Sequence, residues 1–193
     1  QNHEQGIPIA QVAGAAYDEE KLPPGQEPAL DFVGSHSLPK SPYAFAAHIA
    51  VVEVSQENGV VKILKYIGVH DSGRIINPML AEGQAQGAIA QGIGQALWEG
   101  MEYSPEGQPL TGSMMDYGLP TFQNMPDMDL DTVETLSELT PFGLKGIGEL
   151  PTLAAPVAVA NAVMDALSGL GVRHIDTPLT PEKVWQAMRS ARG

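Results

Sequence analysis

The chain of 193 residues carries 10 lysines and arginines against 23 aspartates and glutamates, a formal net charge of −13, and 43% of it is apolar. That composition suffices for the core of one folded domain or of two small lobes. The acidic balance would repel a phosphate backbone, so no nucleic-acid partner is expected. The sequence contains no cysteine, which excludes disulfides, zinc fingers, iron–sulfur ligation and a thiol nucleophile within it.

No stretch approaches twenty consecutive apolar residues, and the N-terminus has neither a basic start nor an apolar segment. Neither a membrane span nor a secretory signal is therefore predicted, and we expect a soluble chain. The five histidines are scattered without the spacing of metal ligands, so no protein-held metal is predicted. Because the first residue is Gln1 and not methionine, we expect a processed chain, a piece of a longer polypeptide, or a renumbered one.

The first 44 residues are rich in glycine and proline and show little periodicity, which predicts an extended arm, 1–44, with one short strand near 9–16. The second predicted segment spans 45–193. Its first element is a β-hairpin, because apolar alternation over 46–54 and 60–69 flanks the turn Glu57-Asn58-Gly59. Asn77-Pro78 then gives an N-cap followed by proline at the first helical position.

The remaining elements follow from turn signals and apolar patterns. They are a helix over 79–101, an irregular segment over 111–130 with a short strand, a strand over 131–136, a glycine-rich elbow over 141–149, a helix over 152–167, and a last helix that begins at Thr180-Pro181-Glu182.

The helix over 79–101 contains five glycines, each of which costs up to about 1 kcal/mol relative to alanine. Helical geometry predicts three stripes: a core face of Ile89, Ile93 and Leu97, a glycine ridge of Gly83, Gly87 and Gly94, and a polar stripe of Gln84, Gln91 and Gln95. A bare backbone strip beside amides would let a flat, hydrogen-bonding ligand approach. Tight packing against another backbone, with solvated glutamines, explains the pattern equally well.

No dinucleotide fingerprint is completed by Gln91-Gly92-Ile93-Gly94, because Leu97 stands where its last glycine belongs. The elbow offers a second signal, since its glycines free backbone amides to donate to an anionic or carbonyl-rich ligand. Glu149 ends the elbow in front of a helix, a suitable place for a general base. The alternative is a plain first-turn glutamate that interacts with the helix macrodipole. Lys145 is either a surface cation or the partner of an anionic group.

The segment His70-Asp71-Ser72-Gly73-Arg74 contains the residue types of a catalytic triad, but neighbouring side chains on an extended segment point to opposite faces. A turn in which Asp71 orders Gly73 and Arg74 is predicted instead. His48 is expected to be a hydrogen-bonded core histidine, and Trp98 and Trp185 are expected in the core.

Several of these motifs occur together, in order, in one known family. They are Val51-Val52-Glu53-Val54, the run from His70 to Pro78, Glu82-Gly83-Gln84, Gln91-Gly92-Ile93-Gly94-Gln95-Ala96-Leu97, Met115-Asp116-Tyr117, Lys145-Gly146-Ile147-Gly148-Glu149 and Asp176-Thr177-Pro178-Leu179-Thr180-Pro181. The chain resembles the C-terminal, molybdopterin-binding part of the large subunit of the molybdenum hydroxylases, the xanthine dehydrogenase and aldehyde oxidase family, especially its carbon monoxide dehydrogenase-like branch.

The resemblance implies an α+β molybdenum cofactor-binding domain with a β-hairpin, a mixed or antiparallel sheet and packed helices. It implies molybdopterin with molybdenum, in its plain or cytosine dinucleotide form, as the cofactor. Glu149 matches the family's catalytic glutamate, a general base in a hydroxylation that takes its oxygen from water. The cofactor-contacting segments of the family correspond to Gln91, Gly92, Gly94, Gln95, Lys145, Gly146 and Gly148.

The family's preceding domains and upstream active-site loop have no counterpart in these 193 residues, and neither do its iron–sulfur and FAD modules. The rest of the large subunit and iron–sulfur and flavin subunits are therefore the expected partners, in the cytoplasm, and the chain alone is expected to be inactive. Aldehydes, N-heterocycles and carbon monoxide remain open as substrates. The alternatives are a non-catalytic assembly module that keeps the fold and a stand-alone small-ligand binder.

Overall fold

The computed structural model describes residues 6–31 and 33–191. The chain divides into two compact units, Gln1–Leu38 and Pro39–Gly193. The described part of the first unit contains one regular element, the helix α1 (Ile9–Ala16), which has no buried residue. The second unit contains all the strands and the three longer helices of the described chain.

The prediction of a short strand over 9–16 is wrong, because this segment is the helix α1. Four of its eight residues are alanine, which has the highest helix propensity. The Pro8 carbonyl starts the helix by accepting hydrogen bonds from the amides of Gln11 at 2.9 Å and Val12 at 3.2 Å. Local alanine content therefore outweighs the β-branched Ile9 and Val12.

The predicted hairpin is confirmed as β1 (Phe45–Val54) and β2 (Val61–Asp71), which pair antiparallel from Phe45–Asp71 to Val54–Val61. The turn between them uses Gly59 at a φ of +74°, a conformation that side chains other than glycine rarely adopt. Asn58 closes the turn, because its side-chain oxygen accepts from the Val60 amide at 3.0 Å.

A third strand, β3 (Met128–Thr132), pairs parallel with β2 and makes the sheet mixed, in the order β1-β2-β3. The predicted strand over 131–136 was therefore placed three residues too late. Pairing stops at Thr132 because β2 itself ends at Asp71. Beyond it the chain turns to follow that end, where the Thr135 amide donates to the Asp71 side chain at 3.2 Å.

The helix α2 (Pro78–Leu97) begins as predicted, with the Asn77 side chain accepting from the Leu80 amide at 3.2 Å. It ends four residues before the predicted Met101. The carbonyl of Gly94 accepts from the amides of both Trp98 and Glu99, each at 2.9 Å, which closes the last turn.

The two remaining helices are confirmed as α3 (Leu150–Ser168) and α4 (Pro181–Ser190). The N-cap of α4 is Thr180, as expected, with its hydroxyl accepting from the Lys183 amide at 3.4 Å. Length and composition would allow α3 to cross a membrane, but that is weak evidence, since the core helix of a folded domain passes the same test. One face of α3 packs on α2 and on β1.

The core lies between the inner face of the sheet and these helices. The predicted core face of α2 is confirmed, because Ile89, Ile93 and Leu97 are buried. They pack with buried residues from β2, α3 and α4, namely Ile63, Tyr66, Val159, Val163, Leu167, Val184 and Met188. Trp98 packs against this core while only partly buried. One face of α2 is thereby packed against the core.

Candidate functional site

One flank of α2 and the end of the elbow enclose an open groove of about 240 Å³. Its lining residues are Gly83, Gln84, Gly87, Ala88, Gln91 and Gly148. A Cβ placed on Gly83 or Gly87 would meet no atom within 4 Å, and one on Gly148 would stand 3.7 Å from the Gln84 Oε1. Side chains at Gly83 or Gly87 would therefore project into free space at the groove and not into protein.

The predicted glycine ridge does not behave as one surface. A Cβ on Gly94 would stand 2.2 Å from the Glu99 Oε1 and 3.0 Å from the Pro120 ring. Gly92 is likewise covered, because its Cβ would lie 2.6 Å from the Ala155 Cβ. The open-approach interpretation thus fits Gly83 and Gly87, and the tight-packing interpretation fits Gly92 and Gly94.

The predicted cofactor contacts are accordingly spread over different surroundings. Gln91 and Gly148 line the groove, and Gly146 lies open on the elbow nearby in sequence. Gln95 is exposed on α2 outside the groove lining. Gln84 also lines the groove, although the sequence analysis placed it only in the polar stripe and not among the cofactor contacts. Helical spacing could have identified it, because it lies four residues before Ala88 and seven before Gln91 on one flank of α2.

Glu149 follows Gly148 directly and is the N-cap residue of α3. Its side chain makes no capping hydrogen bond, and its backbone carbonyl accepts from the Leu153 amide at 3.2 Å. The carboxylate is exposed and has no hydrogen-bond or ion-pair partner within the described part of the chain. It is therefore free to meet a ligand or another part of a larger protein beside the groove.

Lys145 lies on the same elbow but is turned inward. Its Nζ donates to the Asp71 Oδ2 at 3.0 Å and to the Thr135 Oγ1 at 2.7 Å. The side chains of Lys145 and Asp71 are only 7% and 12% exposed. Of the two predicted roles for Lys145, the structure confirms the partner of an anionic group, and that group is Asp71.

The turn after β2 also forms as predicted, because the Asp71 Oδ1 accepts from the Gly73 amide at 3.0 Å. Ser72, next in sequence, is buried, and its Oγ has no hydrogen-bond partner among the described residues. It borders a second cavity of about 240 Å³ that Gln84 and Ile147 also line. Buried hydroxyls are normally paired, so this orphaned atom was a feature that the sequence could not reveal.

Among residues 6–31 and 33–191, no group of three or more His, Asp or Glu side chains could hold a metal ion. The groove instead suits a flat organic group. Its glycines allow close approach of a ring, and the amides of Gln84 and Gln91 can each donate and accept hydrogen bonds at a heterocycle edge. These residues therefore fit one face of a pterin.

The described fold is thus an α+β domain with an open groove of glycines and glutamines, and the exposed Glu149 follows the groove-lining Gly148. A sequence model of the molybdopterin cofactor-binding domain matches residues 1–126. The chain belongs to this family, the molybdopterin-binding domains of xanthine dehydrogenase-type large subunits. The elbow, 141–149, lies beyond residue 126, so its place in the family depends on relatives that align with nearly the whole chain.

Three relatives cover nearly the whole chain. The large subunit of nicotine 6-hydroxylase from Paenarthrobacter nicotinovorans is 41% identical over 96% of this chain and 23% of its own length. The structure of quinoline 2-oxidoreductase from Pseudomonas putida 86 superposes with a TM-score of 0.86 and 39% identity, over 95% of this chain and 24% of that one. The structure of carbon monoxide dehydrogenase from Oligotropha carboxidovorans superposes with a TM-score of 0.87 and 31% identity, over 97% of this chain and 23% of that one.

These comparisons confirm the predicted α+β fold and the molybdopterin cofactor. The relatives are oxidoreductases of the molybdenum hydroxylase type. The chain spans about a quarter of the length of the relatives that it matches.

Proposed function

We propose that this chain is the segment of a molybdenum hydroxylase large subunit that binds one face of the molybdopterin and supplies the general base. The observation that carries the proposal is the juxtaposition of the open groove with Glu149, the residue after the groove-lining Gly148. In this proposal the groove binds and orients the cofactor. The Glu149 carboxylate makes no capping hydrogen bond within the fold, so it is available as a base.

The residues of the groove divide the work by chemistry. Gly83, Gly87 and Gly148 let the ring system lie against the backbone, while Gln84 and Gln91 bind its polar edges. When bound, the molybdenum cofactor supplies the redox chemistry and accepts the electrons removed from the substrate. Glu149 accepts on its carboxylate the proton released as a water-derived oxygen attacks the substrate carbon.

We further propose an N-heteroaromatic substrate. The support is graded similarity: relatives named for nicotine and quinoline are 41% and 39% identical, whereas carbon monoxide dehydrogenases are 31% to 33% identical. The proposed partners are iron–sulfur and flavin subunits and the remaining part of the large subunit. The proposed cofactor form is the cytosine dinucleotide, and the proposed location is the cytoplasm.

The test uses the full-length large subunit assembled with its partner subunits. Glu149→Gln keeps the shape of the side chain but removes the base. We expect normal molybdenum content and a rate of anaerobic reduction by quinoline or nicotine that falls at least about a hundredfold. Glu138→Gln, which changes an exposed carboxylate upstream on the chain, serves as the matched control and should reduce at the wild-type rate.

Each outcome has one meaning. Near wild-type reduction by Glu149→Gln with full molybdenum content would make this glutamate structural and end the assignment of the base. Wild-type protein that carbon monoxide or an aldehyde reduces, but quinoline and nicotine do not, contradicts the N-heteroaromatic substrate. Assembled protein without molybdenum favours the non-catalytic assembly module.

A further inference from the structure

The Asp71 carboxylate is 12% exposed and accepts four hydrogen bonds. Its Oδ1 accepts from the amides of Gly73 at 3.0 Å and Thr135 at 3.2 Å, and its Oδ2 accepts from the Lys145 Nζ at 3.0 Å and from the Thr135 hydroxyl. Burial raises the pKa of Asp71, but these hydrogen bonds outweigh it and hold that pKa well below the usual range. The carboxylate is therefore ionised at neutral pH and faces the Lys145 Nζ.

The same cluster ties the start of the elbow to the end of β2. The Lys145 amide donates to the Ser72 carbonyl at 3.0 Å, and the Arg74 amide donates to the Gly143 carbonyl at 3.3 Å. Gly73 has a φ of +64°, and a Cβ there would stand 2.1 Å from the Gly143 oxygen. Backbone and side chain together therefore fix the elbow at Lys145.

Beyond Lys145 the elbow is open. Gly146 has no atom within 4 Å of a Cβ position, and Gly148 and Glu149 are exposed. This short span has two fixed ends, the Asp71–Lys145 ion pair and the start of α3 at Leu150. The position of Glu149 depends on both ends, because two glycines in between allow the backbone to rotate.

We propose that Lys145 is a positioning residue, which through its buried ion pair with Asp71 fixes the elbow that presents Glu149, and that it does not bind the cofactor. The proposal rests on the proposed role of Glu149 as the base. The Lys145 Nζ already donates to Asp71 and Thr135, and only 7% of its side chain is exposed, so little of it is left to meet a cofactor.

The experiment is a double-mutant cycle in the full-length, assembled enzyme, with Lys145→Met, Asp71→Asn and the combination of both. Removing both partners leaves no unpaired buried charge, so the double variant should assemble even if a single variant does not. Lys65→Met is the matched control, since Lys65 pairs with Asp129 on the exposed surface of the same sheet. The measurements are molybdenum content, kcat and KM with quinoline or nicotine, the pH profile of kcat, and hydrogen exchange of a peptide spanning 141–149.

If Lys145 positions the elbow, each single variant keeps its molybdenum and loses kcat by about 10- to 100-fold, as expected for a small misplacement of a catalytic group. KM stays nearly constant, the pH profile of kcat shifts, and exchange over 141–149 accelerates. The double variant is no worse than the poorer single variant, because both substitutions break one interaction. Lys145→Arg recovers part of the lost kcat, because its guanidinium can still pair with Asp71. Lys65→Met changes none of these quantities.

Two results overturn the proposal. Loss of molybdenum in Lys145→Met, with molybdenum retained in Asp71→Asn, would make Lys145 a cofactor ligand. A double variant with wild-type kcat and pH profile would make the ion pair irrelevant to the base. Both differ from failure of the proposed function, in which Glu149→Gln itself stays active.

Discussion

The Nε2 of His48 lies 2.8 Å from the Nε2 of His70, and the Nδ1 of the same His48 ring lies 2.7 Å from the Tyr66 hydroxyl. These three side chains, from β1 and β2, form a polar row on one face of the sheet, and Tyr66 and His70 are fully buried. Two facing ring nitrogens can share one N–H, but protonating both rings would set two N–H groups against each other. The arrangement therefore excludes protonation of both rings at once, and it confirms His48 as a hydrogen-bonded histidine.

Acid should weaken the fold through this row. Burial, followed by the neighbouring His70, lowers the pKa of His48 from 6.5 to about 4, and burial also lowers the pKa of His70. Between pH 6.5 and about 4 the unfolded chain binds protons that the folded chain does not, so the free energy of unfolding falls as the pH falls. In urea unfolding of the 193-residue chain, the free energy of unfolding should be lower at pH 4.5 than at pH 7.5, with His48 contributing to the loss.

Variants separate this contribution from that of the carboxylates. His48→Gln should lose less free energy of unfolding over the same interval than the wild-type chain. His174→Gln should behave as the wild type, because His174 is exposed and pairs with Asp176 at the surface. Equal losses in His48→Gln and wild type would show that the row does not titrate as described.

The starts of α2 and α4 were predictable because their signals are local. Asn77 and Thr180 cap the next turn with their own side chains, and a proline follows each. Helix and strand ends were less predictable, since they depend on distant partners. The end of α2 depends on how Trp98 and Glu99 fold back on Gly94, and the end of β3 depends on where β2 stops.

The candidate site likewise has features that local sequence predicts and features that depend on distant residues. Sequence spacing placed Gly87 and Gly94 on one ridge, but the distant loop residue Pro120 covers only Gly94. Lys145 and Asp71 are 74 residues apart, so no local pattern could join them. The prediction of Glu149 as the base depends on its position before a helix and on the family resemblance, both of which are local in sequence.

The contact between the hairpin turn and α4 should be sensitive to a single methyl group. A Cβ on Gly59 would stand 2.0 Å from the Pro181 carbonyl oxygen and 2.8 Å from the Trp185 amide nitrogen. Gly59→Ala should therefore lower the free energy of unfolding by more than about 1 kcal/mol, measured in urea. Gly107→Ala has a similar backbone strain, at a φ of +87°, with no atom within 4 Å, and should lose less. Equal losses of unfolding free energy in the two variants would mean that backbone strain alone sets the cost, and that the hairpin turn moves away from α4 to accept the methyl group.

The 193-residue chain by itself should not turn over substrate. It spans about a quarter of the length of its relatives, and within its described part the groove is open on one side. The purified chain should retain little or no molybdenum and show no dye reduction with quinoline or nicotine. Sustained substrate-dependent dye reduction would contradict this, and would mean that the cofactor needs no further protein around it.

Two glycines of one helix should separate cofactor binding from folding. Gly87 faces the open groove, so Gly87→Leu should not lower the melting temperature of the chain and should even favour the helix by up to about 1 kcal/mol. In the assembled full-length subunit the same leucine would occupy the surface that receives the pterin. Molybdenum content should therefore fall to a small fraction of the wild-type value.

Gly92 lies five residues further along α2 and should give the opposite result. Its Cβ would lie 2.6 Å from the Ala155 Cβ and 2.8 Å from the Pro156 Cδ, so α2 and α3 must move apart to accept Gly92→Ala. This variant should melt several degrees lower, by about 2 to 4 °C for each kcal/mol lost. Gln86→Leu, on the exposed side of α2 outside the groove, should keep both its melting temperature and its molybdenum. Full molybdenum content in Gly87→Leu would remove the groove as the cofactor site, because no flat ring could share that surface with a leucine side chain.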